Sequence, residues 1–518
     1  MSTSELFALN ELFPELTGDS SASTIRINDL VDDSRKVIEG SAFCAIKGHD
    51  KNGELFIPQA IKAGAKLIIK ESRAGVIKLH ESHLSESVFD LEVPALKARL
   101  PLLAERFNRQ PSSELNLVGI TGTNGKTTIA FLLGEIWQGL AYAHSTIGTL
   151  GIKQADGTYS ETGLTTPGNL VLQKALRDMS DNNVAHVALE VSSHGIAQGR
   201  VDAMVFKARV FSNLSRDHLD YHETMDAYAQ TKLDFLRRDL DHPVIVNIDD
   251  EYGRGFLNYN RSLNVISYSI DNTDADVYLN DVKALSDGFS AELVSRWGRG
   301  RFSCALLGRF NLHNLLAAVA CVLSMGDDFD KVLACLSFLK SAPGRLQLLK
   351  TKSSLMPKIY VDYAHTPDAL EKVICSLRPH VSGRLCVVFG CGGDRDKGKR
   401  AQMGGIVNAL ADCVVVTTDN PRKENPDAII DEIFDGIEID KCESVLRIVD
   451  RSEAIAKAVE LMNADDCILL AGKGHEDYQI IGSEKIPYSD FDVVKKLDET
   501  LNETQDETMD DNMNEGAL

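Results

Sequence analysis

The chain has 518 residues, of which 43% are hydrophobic and 25% charged, and its formal net charge is −21 at pH 7. This composition is typical of soluble globular proteins, and the length predicts about three domains, because a single hydrophobic core stops growing well below this size. The composition excludes a largely disordered chain. No apolar run approaches the ~20 residues of a membrane helix, so we expect none. The negative net charge argues against a nucleic-acid partner.

The N-terminus and the cysteines indicate a cytoplasmic protein. Residues 1–16 contain no basic start followed by an apolar block, so we expect no secretory signal. The ten cysteines are scattered and form no C-x-x-C pair, whereas disulfide frameworks and zinc sites need closer pairing. We therefore expect reduced thiols and a cytoplasmic location, without membrane insertion.

The first part of the chain leads into an α/β unit. Short apolar runs, SAFCAIKG and AKLIIKE, alternate with polar turns, and residues 108–114, NRQPSSE, read as a polar linker. LNLVGI at 115–120 is a compact apolar run, which predicts a buried strand. It leads through glycines into KTTIAFLLGEIWQGL, whose apolar residues recur at helical spacing, and strand, glycine loop and helix begin an α/β unit.

Further compact apolar runs predict mostly parallel sheets in two successive domains. HVALEVSS, ARVFSNLS and PVIVNID alternate with helical stretches, and KIYVDYA, RLCVVFG, CVVVTTD and DCILLAG follow after a break at SAPGRLQ. We place three domains at 1–113, 114–343 and 344–497. Residues 498–518 contain eight acidic residues and no Lys or Arg, so we expect a disordered acidic tail.

GITGTNGKTT, residues 119–128, predicts a phosphate-binding loop. Gly122 and Gly125 let backbone N–H groups turn toward an anion. Lys126 supplies a charge for the outer phosphates, and Thr127 a hydroxyl for Mg²⁺. The general motif has glycine where this chain has Ile120, so the loop is a shortened form. Such loops occur in kinases, motors, GTPases and ligases, and the loop alone leaves the reaction open.

TGTNGKTT resembles the ATP loop of the Mur ligase family and of its folylpolyglutamate synthase relatives. Eight further stretches fit the family in the same order, and together they span nearly the whole chain apart from the acidic tail: TTPGN (165–169), LEVSSHGIAQGRVD (189–202), NLSRDHLDYH (213–222), GRFNLHN (308–314), APGRLQ (342–347), DYAHTPDAL (362–370), GCGGDRDKGKR (390–400) and GKGHEDYQ (472–479).

The resemblance implies three α/β domains: an N-terminal UDP-binding domain, a central parallel-sheet domain like that of P-loop ATPases, and a C-terminal Rossmann-like domain. It also implies an ATP-dependent, amide-bond-forming ligase of peptidoglycan precursor synthesis. In the family's reaction a substrate carboxylate becomes an acyl phosphate, which an amine then attacks.

The resemblance assigns catalytic roles to Lys126 and to three further residues of the central domain. Glu190, which ends a predicted buried strand, would hold Mg²⁺ beside Thr127, and His218 would help to hold a second Mg²⁺. Lys232 would become a metal ligand after carbamylation by CO₂ to N6-carboxylysine, since a metal ion repels an ammonium. Read without the family, His218 is a structural or surface histidine and Lys232 an exposed helix lysine.

The resemblance also assigns residues to the two nucleotides. The expected ATP-binding residues are Gly122, Thr123, Asn124, Gly125, Lys126, Thr127, Thr128, Asn311, Asn314, Arg345 and Asp362. The residues expected to bind the UDP-muramyl peptide are Ser34, His49, Asp50, Lys51, Thr165, Thr166, Ser192, Gln198 and Arg200. Short hydroxyls and an arginine suit the lactyl, peptide and diphosphate oxygens of such a substrate.

TTDNPRKENP, residues 417–426, bears on which amino acid the ligase adds. Read locally, its Asn-Pro step between charged residues is a surface turn. In the family, the DNPR form goes with meso-diaminopimelate, and a guanidinium pairs bidentately with the far carboxylate of that amino acid, which lysine lacks. The expected diaminopimelate-binding residues are Arg395, Asp419, Asn420, Pro421, Arg422, Gly472 and Glu476.

Three other functions stay open beside this one. A lysine-adding ligase of the same family would have no use for Arg422, and a folylpolyglutamate synthase-like ligase would lack the first hundred residues. A nonenzymatic ATP-binding switch or motor would not explain charged residues on strand-end loops of two domains. We expect a monomer that binds ATP, Mg²⁺, UDP-muramyl dipeptide and meso-diaminopimelate.

Overall fold

The computed structural model describes residues 6–48, 52–72, 75–82, 85, 87–238, 241–260, 264–285, 287–438 and 444–515. The chain divides into two compact units, the first made of residues 1–126, 137–246 and 250–265 and the second of residues 127–136, 247–249 and 266–518. No helix of the described residues is both long and apolar enough to span a membrane.

The N-terminal domain, in the first unit, is a small sheet with short helices. Its strands are β1 Phe7–Ala8, β2 Arg26–Ile27, β3 Leu30–Val31, β4 Ala42–Ala45, β5 Leu67–Glu71, β6 Lys78–Glu81 and β7 Phe89–Val93. Its helices are α1 Leu9–Leu12, α2 Ser20–Thr24, α3 Ile57–Lys62, α4 Leu96–Phe107 and α5 Pro111–Glu114. The main sheet has the order β3-β4-β5-β7-β6 and is parallel except at the β6 edge. The two apolar runs noted in the sequence form β4 and β5.

The next elements of the chain build the parallel sheet that carries the phosphate loop. The strands are β8 Asn116–Thr121, β9 His144–Gly148, β10 Gly151–Lys153, β11 Tyr159–Ser160, β12 His186–Glu190, β13 Ala208–Phe211 and β14 Val244–Asn247. The helices that begin between residues 126 and 251 are α6 Lys126–Gly139, α7 Asn169–Asp181, α8 Ser193–Ala197, α9 Leu219–His222, α10 Met225–Arg237 and α11 Glu251–Tyr259. β9, β12, β8, β13 and β14 are parallel neighbours in that order. Their near-continuous apolar sequences are buried, as expected of parallel strands covered on both faces.

The chain continues with strands and helices that lie in the second unit apart from Val265. They are β15 Val265–Ser269, β16 Val277–Leu285, β17 Gly288–Ser295, β18 Gly298–Cys304, α12 Arg309–Ser324 and α13 Phe329–Cys335. β16, β17 and β18 form an antiparallel meander, and α12 is buried along almost its whole length.

The C-terminal domain is a doubly wound parallel sheet within the second unit. Its strands are β19 Gln347–Leu348, β20 Lys358–Asp362, β21 Leu385–Phe389, β22 Cys413–Val416, β23 Ser444–Arg447, β24 Cys467–Ala471, β25 Tyr478–Ile481 and β26 Glu484–Pro487. Its helices are α14 Pro367–Leu377, α15 Gly398–Leu410, α16 Pro426–Phe434, α17 Arg451–Leu461 and α18 Asp490–Glu515. The order is β19-β20-β24-β21-β22-β23, parallel except at β19.

Alternate residues of β21 enter two different cores, which shows that both faces of this sheet are covered. Val387 and Phe389 pack with residues of α14, α15 and α16. Cys386 and Val388 pack with residues of α17 and α18. The predicted strands KIYVDYA, RLCVVFG, CVVVTTD and DCILLAG are β20, β21, β22 and β24, and the Rossmann-like class expected for this domain is confirmed.

The structure differs from the sequence-based expectation at the acidic tail. Helix α18 continues from Asp490 to Glu515, through residues for which we expected no structure. Asp498 is buried, and its carboxylate accepts hydrogen bonds from the backbone N–H groups of Lys352 and Ser353. Leu501 packs against the core on the same side of the sheet. The high charge of residues 498–518 led to the expectation of disorder, whereas Asp498 and Leu501 attach the beginning of this segment to the C-terminal domain.

Candidate active site

The phosphate loop follows β8 and is fixed by the residues after β13. Gly122 has φ +145°, and a Cβ there would lie 1.9 Å from the hydroxyl oxygen of Ser212, so only glycine fits. The hydroxyl of Ser212 donates to the carbonyl of Asn124 at 2.6 Å. Asn213 accepts from the N–H groups of Thr123 and Asn124 at 2.8 and 3.1 Å. The loop conformation predicted from its glycines is therefore held by an adjacent strand end.

Two lysines of the predicted site lie at the same carbonyl. Lys126 Nζ donates to Gly122 O at 2.9 Å and to Thr123 O at 2.8 Å, and Lys232 Nζ on α10 donates to Gly122 O at 2.8 Å. Lys232 is buried rather than exposed, contrary to the reading of its helix pattern alone. Its burial, and then the charge of Lys126, hold the pKa of Lys232 well below its usual range. Burial therefore favours the neutral form of the Lys232 amine.

Glu190 ends β12, as predicted, and its carboxylate is almost fully buried. It accepts hydrogen bonds from the N–H of Thr149 at 2.9 Å and from the hydroxyl of Thr149 at 3.1 Å. Gly148 makes room for it, because a Cβ at that position would lie 2.0 Å from Glu190 Oε1. A buried carboxylate that ends a parallel strand, close to the sheet edge of the phosphate loop, is a suitable oxygen donor for a hard cation.

The residues expected to bind the muramyl peptide meet around the end of β12. Thr165 lies 3.2 Å from Thr149, oxygen to oxygen, and Thr166 donates to the carbonyl of Glu190 at 2.8 Å. Ser192 caps helix α8 through the N–H of Gly195, and its own N–H donates to Thr166 Oγ1 at 2.9 Å. The structure thus joins the threonines and Ser192 to the strand that carries Glu190.

Arg200 and Gln198 continue this group of residues. The guanidinium of Arg200 donates to the carbonyl of Thr166 at 2.6 Å and to the side-chain oxygen of Gln198 at 2.6 and 3.1 Å. One hydrogen-bonded polar group of the first unit therefore brings together Thr165, Thr166, Ser192, Gln198 and Arg200.

His218 occupies a different environment from Glu190. It has φ +55° and precedes the short helix α9, its side chain is partly exposed, and its ring lies edge-on to that of His194 with centroids 4.8 Å apart. Asp217 Oδ2 lies 3.5 Å from its Nε2. Within the described part of the chain, no three His, Cys, Asp or Glu side chains are grouped so that they alone could hold a metal ion. A Mg²⁺ ion would thus need oxygens from other groups.

The residues expected at the nucleotide base and ribose lie in the second unit. Asn311 and Asn314 are buried on α12; Asn311 donates to Leu307 O at 2.8 Å, and Asn314 donates to Asn311 Oδ1 at 3.1 Å. Thr127 and Thr128, in the first turn of α6, are also buried. These side chains are already ordered by the fold.

Asp362, at the end of β20, lies near Arg345. Its carboxylate accepts from the N–H groups of Leu346 at 2.6 Å and Ala364 at 2.7 Å. The pKa of the Asp362 carboxyl is raised, because the effect of burial exceeds the lowering by the charge of Arg345 and by these two hydrogen bonds. The guanidinium of Arg345 lies over the ring of Tyr363 at 4.7 Å.

The DNPR loop follows β22 and is a turn, as its local reading predicted, but its arginine is held in place. Arg422 has φ +50°, and its backbone pairs with the strand β25 through Ile480 O at 2.9 Å. Its Nη1 donates to the carbonyl of Gly393 at 2.9 Å, which uses one of five guanidinium N–H groups. Arg395, in the loop after β21, is exposed, and its side chain lies beside Gly392, as does the guanidinium of Arg422. The loops that carry the two predicted arginines thus lie together.

The acidic end of the predicted amino-acid pocket is built on the DNPR and GKGHE loops. Asn420 donates to Glu476 Oε2 at 2.9 Å. Gly472 has φ +108°, and a Cβ there would lie 2.5 Å from Asp419 Oδ2, which explains the glycine. Asp419, Asn420, Gly472 and Glu476 are therefore gathered at one place, as the sequence predicted, and Pro421 connects them to Arg422.

Lys473 was missed by the sequence analysis, although it lies between two predicted residues. It is fully buried, and its Nζ donates to Asn420 Oδ1 at 3.0 Å and to Glu476 Oε2 at 2.9 Å, with Asp419 Oδ1 at 3.7 Å. A buried ammonium is costly unless it is paired. One feature of the sequence could have indicated this role: Lys473 lies between two glycines of a tight loop, and the acidic residues Asp419 and Glu476 were already predicted for the same pocket.

The expected uridine-binding residues are only partly described. Ser34 is buried in the 3₁₀ turn after Asp33, and its hydroxyl donates to Gln59 Oε1 at 3.0 Å. His49, Asp50 and Lys51 lie outside the described residues.

Three family models match successive parts of the chain. The first, described as "Mur ligase family, catalytic domain", matches residues 27–107; the second, "Mur ligase middle domain", matches residues 120–322; the third, "Mur ligase, glutamate ligase domain", matches residues 344–474.

Individual proteins match over nearly the whole chain. A protein of Pseudomonas syringae pv. tomato named UDP-N-acetylmuramoyl-L-alanyl-D-glutamate--2,6-diaminopimelate ligase is 42% identical over 468 residues, which cover 90% of this chain and 94% of that protein. A solved structure with the same name is 32% identical and has a TM-score of 0.69, covering 96% of this chain and 100% of its own. The MurF ligase of Thermotoga maritima, solved in complex with ADP, shares the fold at 19% identity and a TM-score of 0.61, covering 86% of this chain and 94% of its own. The chain therefore belongs to the Mur ligase family.

Proposed function

We propose that this chain is an ATP-dependent ligase that adds meso-diaminopimelate to UDP-N-acetylmuramoyl-L-alanyl-D-glutamate in peptidoglycan precursor synthesis. The observation that carries the proposal is a pocket built on three loops of the C-terminal domain. Arg395 lies in the loop after β21, Arg422 and Asn420 lie in the DNPR loop, and Glu476 lies in the GKGHE loop. Relatives that match this chain over nine-tenths of its length carry the name of that activity.

The reaction has two steps, phosphoryl transfer to a carboxylate and then formation of the amide bond. The terminal carboxylate of the D-glutamyl residue attacks the γ-phosphorus of ATP, the bond to ADP breaks, and an acyl phosphate forms. The amine of diaminopimelate then attacks the acyl carbon, the tetrahedral intermediate expels phosphate, and the nitrogen loses a proton. Anions must meet at both steps, so fixed cations and N–H groups near the phosphates lower the barrier.

Residues of the phosphate loop bind the outer phosphates. Lys126 exchanges its two carbonyl partners for phosphate oxygens, and the N–H groups at the start of α6 point toward the same charge. Thr165, Thr166, Ser192, Gln198 and Arg200 bind the muramyl peptide around the end of β12, which brings its carboxylate toward this loop.

Mg²⁺ would be held by Glu190 and Thr127, with His218 at a second ion, and its charge would neutralise phosphate oxygens. Carboxylate and hydroxyl oxygens fit a hard cation, but the amine of Lys232 does not. The lowered pKa of that buried amine supports carbamylation, because only a neutral amine attacks CO₂, and the product carboxylate is an oxygen donor.

The far end of diaminopimelate is a second amino-acid head, and the pocket offers a group for each charge on it. Arg422 and Arg395 pair with the far carboxylate, while Glu476 and the carbonyl of Gly472 receive the far amine. Lysine offers an amine but no carboxylate and leaves both guanidinium groups unpaired. Sites of this kind reject an analogue that lacks the matching group by up to ~10⁴ to 10⁵.

The nucleotide end and the setting of the enzyme complete the proposal. Asn311, Asn314, Arg345 and Asp362 bind the base and ribose of ATP, and Ser34, with His49, Asp50 and Lys51, binds the uridine diphosphate. The protein acts as a cytoplasmic monomer: its ATP substrate is intracellular, and the nine cysteines that the structure describes are free thiols. Light scattering on the purified protein measures the oligomeric state.

ADP release over a panel of diamino acids tests the function. We expect release only when both the UDP-muramyl dipeptide and an amino acid are present, with meso-diaminopimelate far ahead of lysine. Equal rates with the two amino acids would support the lysine-adding alternative instead. Release without any amino acid would support an ATPase of another kind.

A further inference from the structure

Glu424, four residues beyond the predicted pocket residue Asn420, joins the two loops that carry the pocket arginines. Its Oε1 accepts from the backbone N–H of Asp394 at 2.5 Å, in the loop that contains Arg395. Its own N–H donates to Pro421 O at 3.1 Å, within the DNPR loop. One side chain therefore links the backbone before Arg395 to the backbone that carries Arg422.

The same two loops make further hydrogen bonds to each other. Gly393 N donates to Asn420 O at 2.9 Å, and Lys423 N donates to Asp394 Oδ2 at 3.3 Å. A Cβ at Gly393 would lie 1.9 Å from Pro421 O, which shows how closely the backbones approach. The loops after β21 and β22 thus form one paired structure, and the carboxylates of Glu424 and Asp394 each accept from a backbone N–H of the opposite loop, that of Glu424 over the shorter distance.

Arg400, on α15, fixes the orientation of Glu424. Its side chain is fully buried and donates to both carboxylate oxygens of Glu424 at 2.9 Å, a bidentate pair. It also donates to Glu432 Oε2 at 2.7 Å and to the carbonyl of Gly392 at 3.2 Å. The guanidinium therefore touches the Arg395 loop directly and holds the carboxylate that bonds to it.

The groups around Glu424 favour its ionised carboxylate. Hydrogen bonds from Arg400, then from the N–H of Asp394, lower the pKa of Glu424 to about 2. Lys397 adds a third cation, 3.2 Å from Oε2. The lowered pKa favours the ionised carboxylate, which is the form that accepts from both Arg400 and the N–H of Asp394.

We propose that Glu424, held by Arg400, is a positioning residue that sets the spacing of Arg395 and Arg422, so that both guanidinium groups meet the far carboxylate of diaminopimelate. This inference rests on the proposed function. Glu424 itself points into the paired loops and does not bind the substrate. Misplacement of a pocket group by about 1 Å is enough to weaken such a contact strongly.

Kinetics of Glu424→Ala and Glu424→Gln test the proposal, with Asp431→Asn as a matched control. Asp431 lies on α16 and pairs with the exposed Arg447, so its replacement removes a carboxylate of the same region without touching the loops. For the alanine variant we expect the KM for meso-diaminopimelate to rise about tenfold or more, with the KM for ATP and kcat changed by less than about twofold. The glutamine variant keeps an acceptor for Asp394 N–H and should show a smaller rise. The control should match the wild type.

Selectivity and direct binding separate positioning from general damage. The ratio of kcat/KM for diaminopimelate to that for lysine should fall in Glu424→Ala, and titration calorimetry should show weaker diaminopimelate binding with unchanged binding of the ATP analogue. Equal increases in both KM values, or an unchanged KM for diaminopimelate, would overturn the inference. If the alanine variant does not fold, the glutamine variant gives the same comparison. A wild type that does not prefer diaminopimelate to lysine contradicts the proposed function itself, whereas a selective wild type with an unaffected variant contradicts only this inference.

Discussion

Lys126 and Lys232 donate to the same acceptor, the carbonyl oxygen of Gly122, at 2.9 and 2.8 Å. Two ammonium groups so close to each other would repel, and burial, then the charge of Lys126, lower the pKa of Lys232 well below its usual range. The lowered pKa favours the neutral amine that the proposed carbamylation of Lys232 requires, while Lys126 is the lysine proposed to bind phosphate.

The lowered pKa of Lys232 predicts a free energy of unfolding that rises with pH. In the unfolded chain a lysine binds a proton below about pH 10.4, but the buried amine does so only at much lower pH, so the unfolded state holds more protons between the two values. Stability therefore rises across that window by up to about 1.4 kcal/mol per pH unit from this group. We expect Lys232→Met to lose this contribution in urea denaturation at pH 7 and pH 9 in CO₂-free buffer. Parallel pH profiles of the two proteins would contradict the shift.

Gly148→Ala tests whether the position of Glu190 matters for catalysis without replacing Glu190. The added Cβ would lie 2.0 Å from Glu190 Oε1, so the carboxylate must move away from the N–H of Thr149. We expect kcat to fall by about a hundredfold or more, as for other losses of a preorganised charged group. Gly255→Ala, with nothing within 4 Å of the new Cβ, is the matched control and should keep wild-type kcat. Normal kcat in Gly148→Ala would argue against Glu190 as a metal ligand.

Arg422→Ala should affect the amino acid and spare the nucleotide. Its guanidinium keeps four N–H groups beyond the one bonded to Gly393 O, enough for a bidentate pair with a carboxylate. We expect the KM for meso-diaminopimelate to rise about tenfold to a hundredfold, with little change in the KM for ATP. Arg422→Lys keeps the charge but loses the planar pair, so it should recover only part of the affinity. A full recovery by lysine would show that charge alone is recognised.

The sequence predicted those parts of the site that depend on local pattern. The glycines of the phosphate loop, the strand that ends at Glu190 and the turn at DNPR all follow from short-range steric and periodic rules, and the structure has them where they were expected. The role of Lys232 came only from the family resemblance, because its helix spacing indicates an exposed face. Its burial depends on the distant loop at Gly122, which no window around residue 232 contains.

The partners that hold the pocket together were not predictable for the same reason. Arg400 and Glu424 are 24 positions apart, and Lys473 meets Asn420 across 53. Charged residues at such separations read as solvated surface until the sheet order of the C-terminal domain is known. Only the topology of β20, β24, β21 and β22 brings their loops to one edge.

Asp498, near the C-terminus, also makes contacts that local sequence did not predict, and its contribution to stability can be tested directly. It belongs to a strongly acidic segment, yet its carboxylate accepts from Lys352 N and Ser353 N and is buried. Asp498→Ala should lower the free energy of unfolding by about 1–3 kcal/mol in urea, because it leaves two backbone N–H groups without their charged acceptor. Glu499→Ala, at the exposed neighbouring position, should change stability by less than about 0.5 kcal/mol. Equal effects would mean that residues 498–518 are detached from the domain in solution.

Lys473→Met probes the buried ammonium that joins the DNPR and GKGHE loops. Without it, the largely buried carboxylates of Glu476 and Asp419 lose the cation between them, and the side-chain oxygen of Asn420 loses one of its two donors, keeping the N–H of Ile480. Removal of one partner of a buried ion pair lowers the free energy of unfolding by about 3–5 kcal/mol, and we expect an effect of that size for Lys473→Met. The control is Lys372→Met, which removes an exposed pair with Asp368 on α14 and should lower the free energy of unfolding by less than about 1 kcal/mol. A variant as stable as the Lys372→Met control would show that the pocket carboxylates do not depend on Lys473.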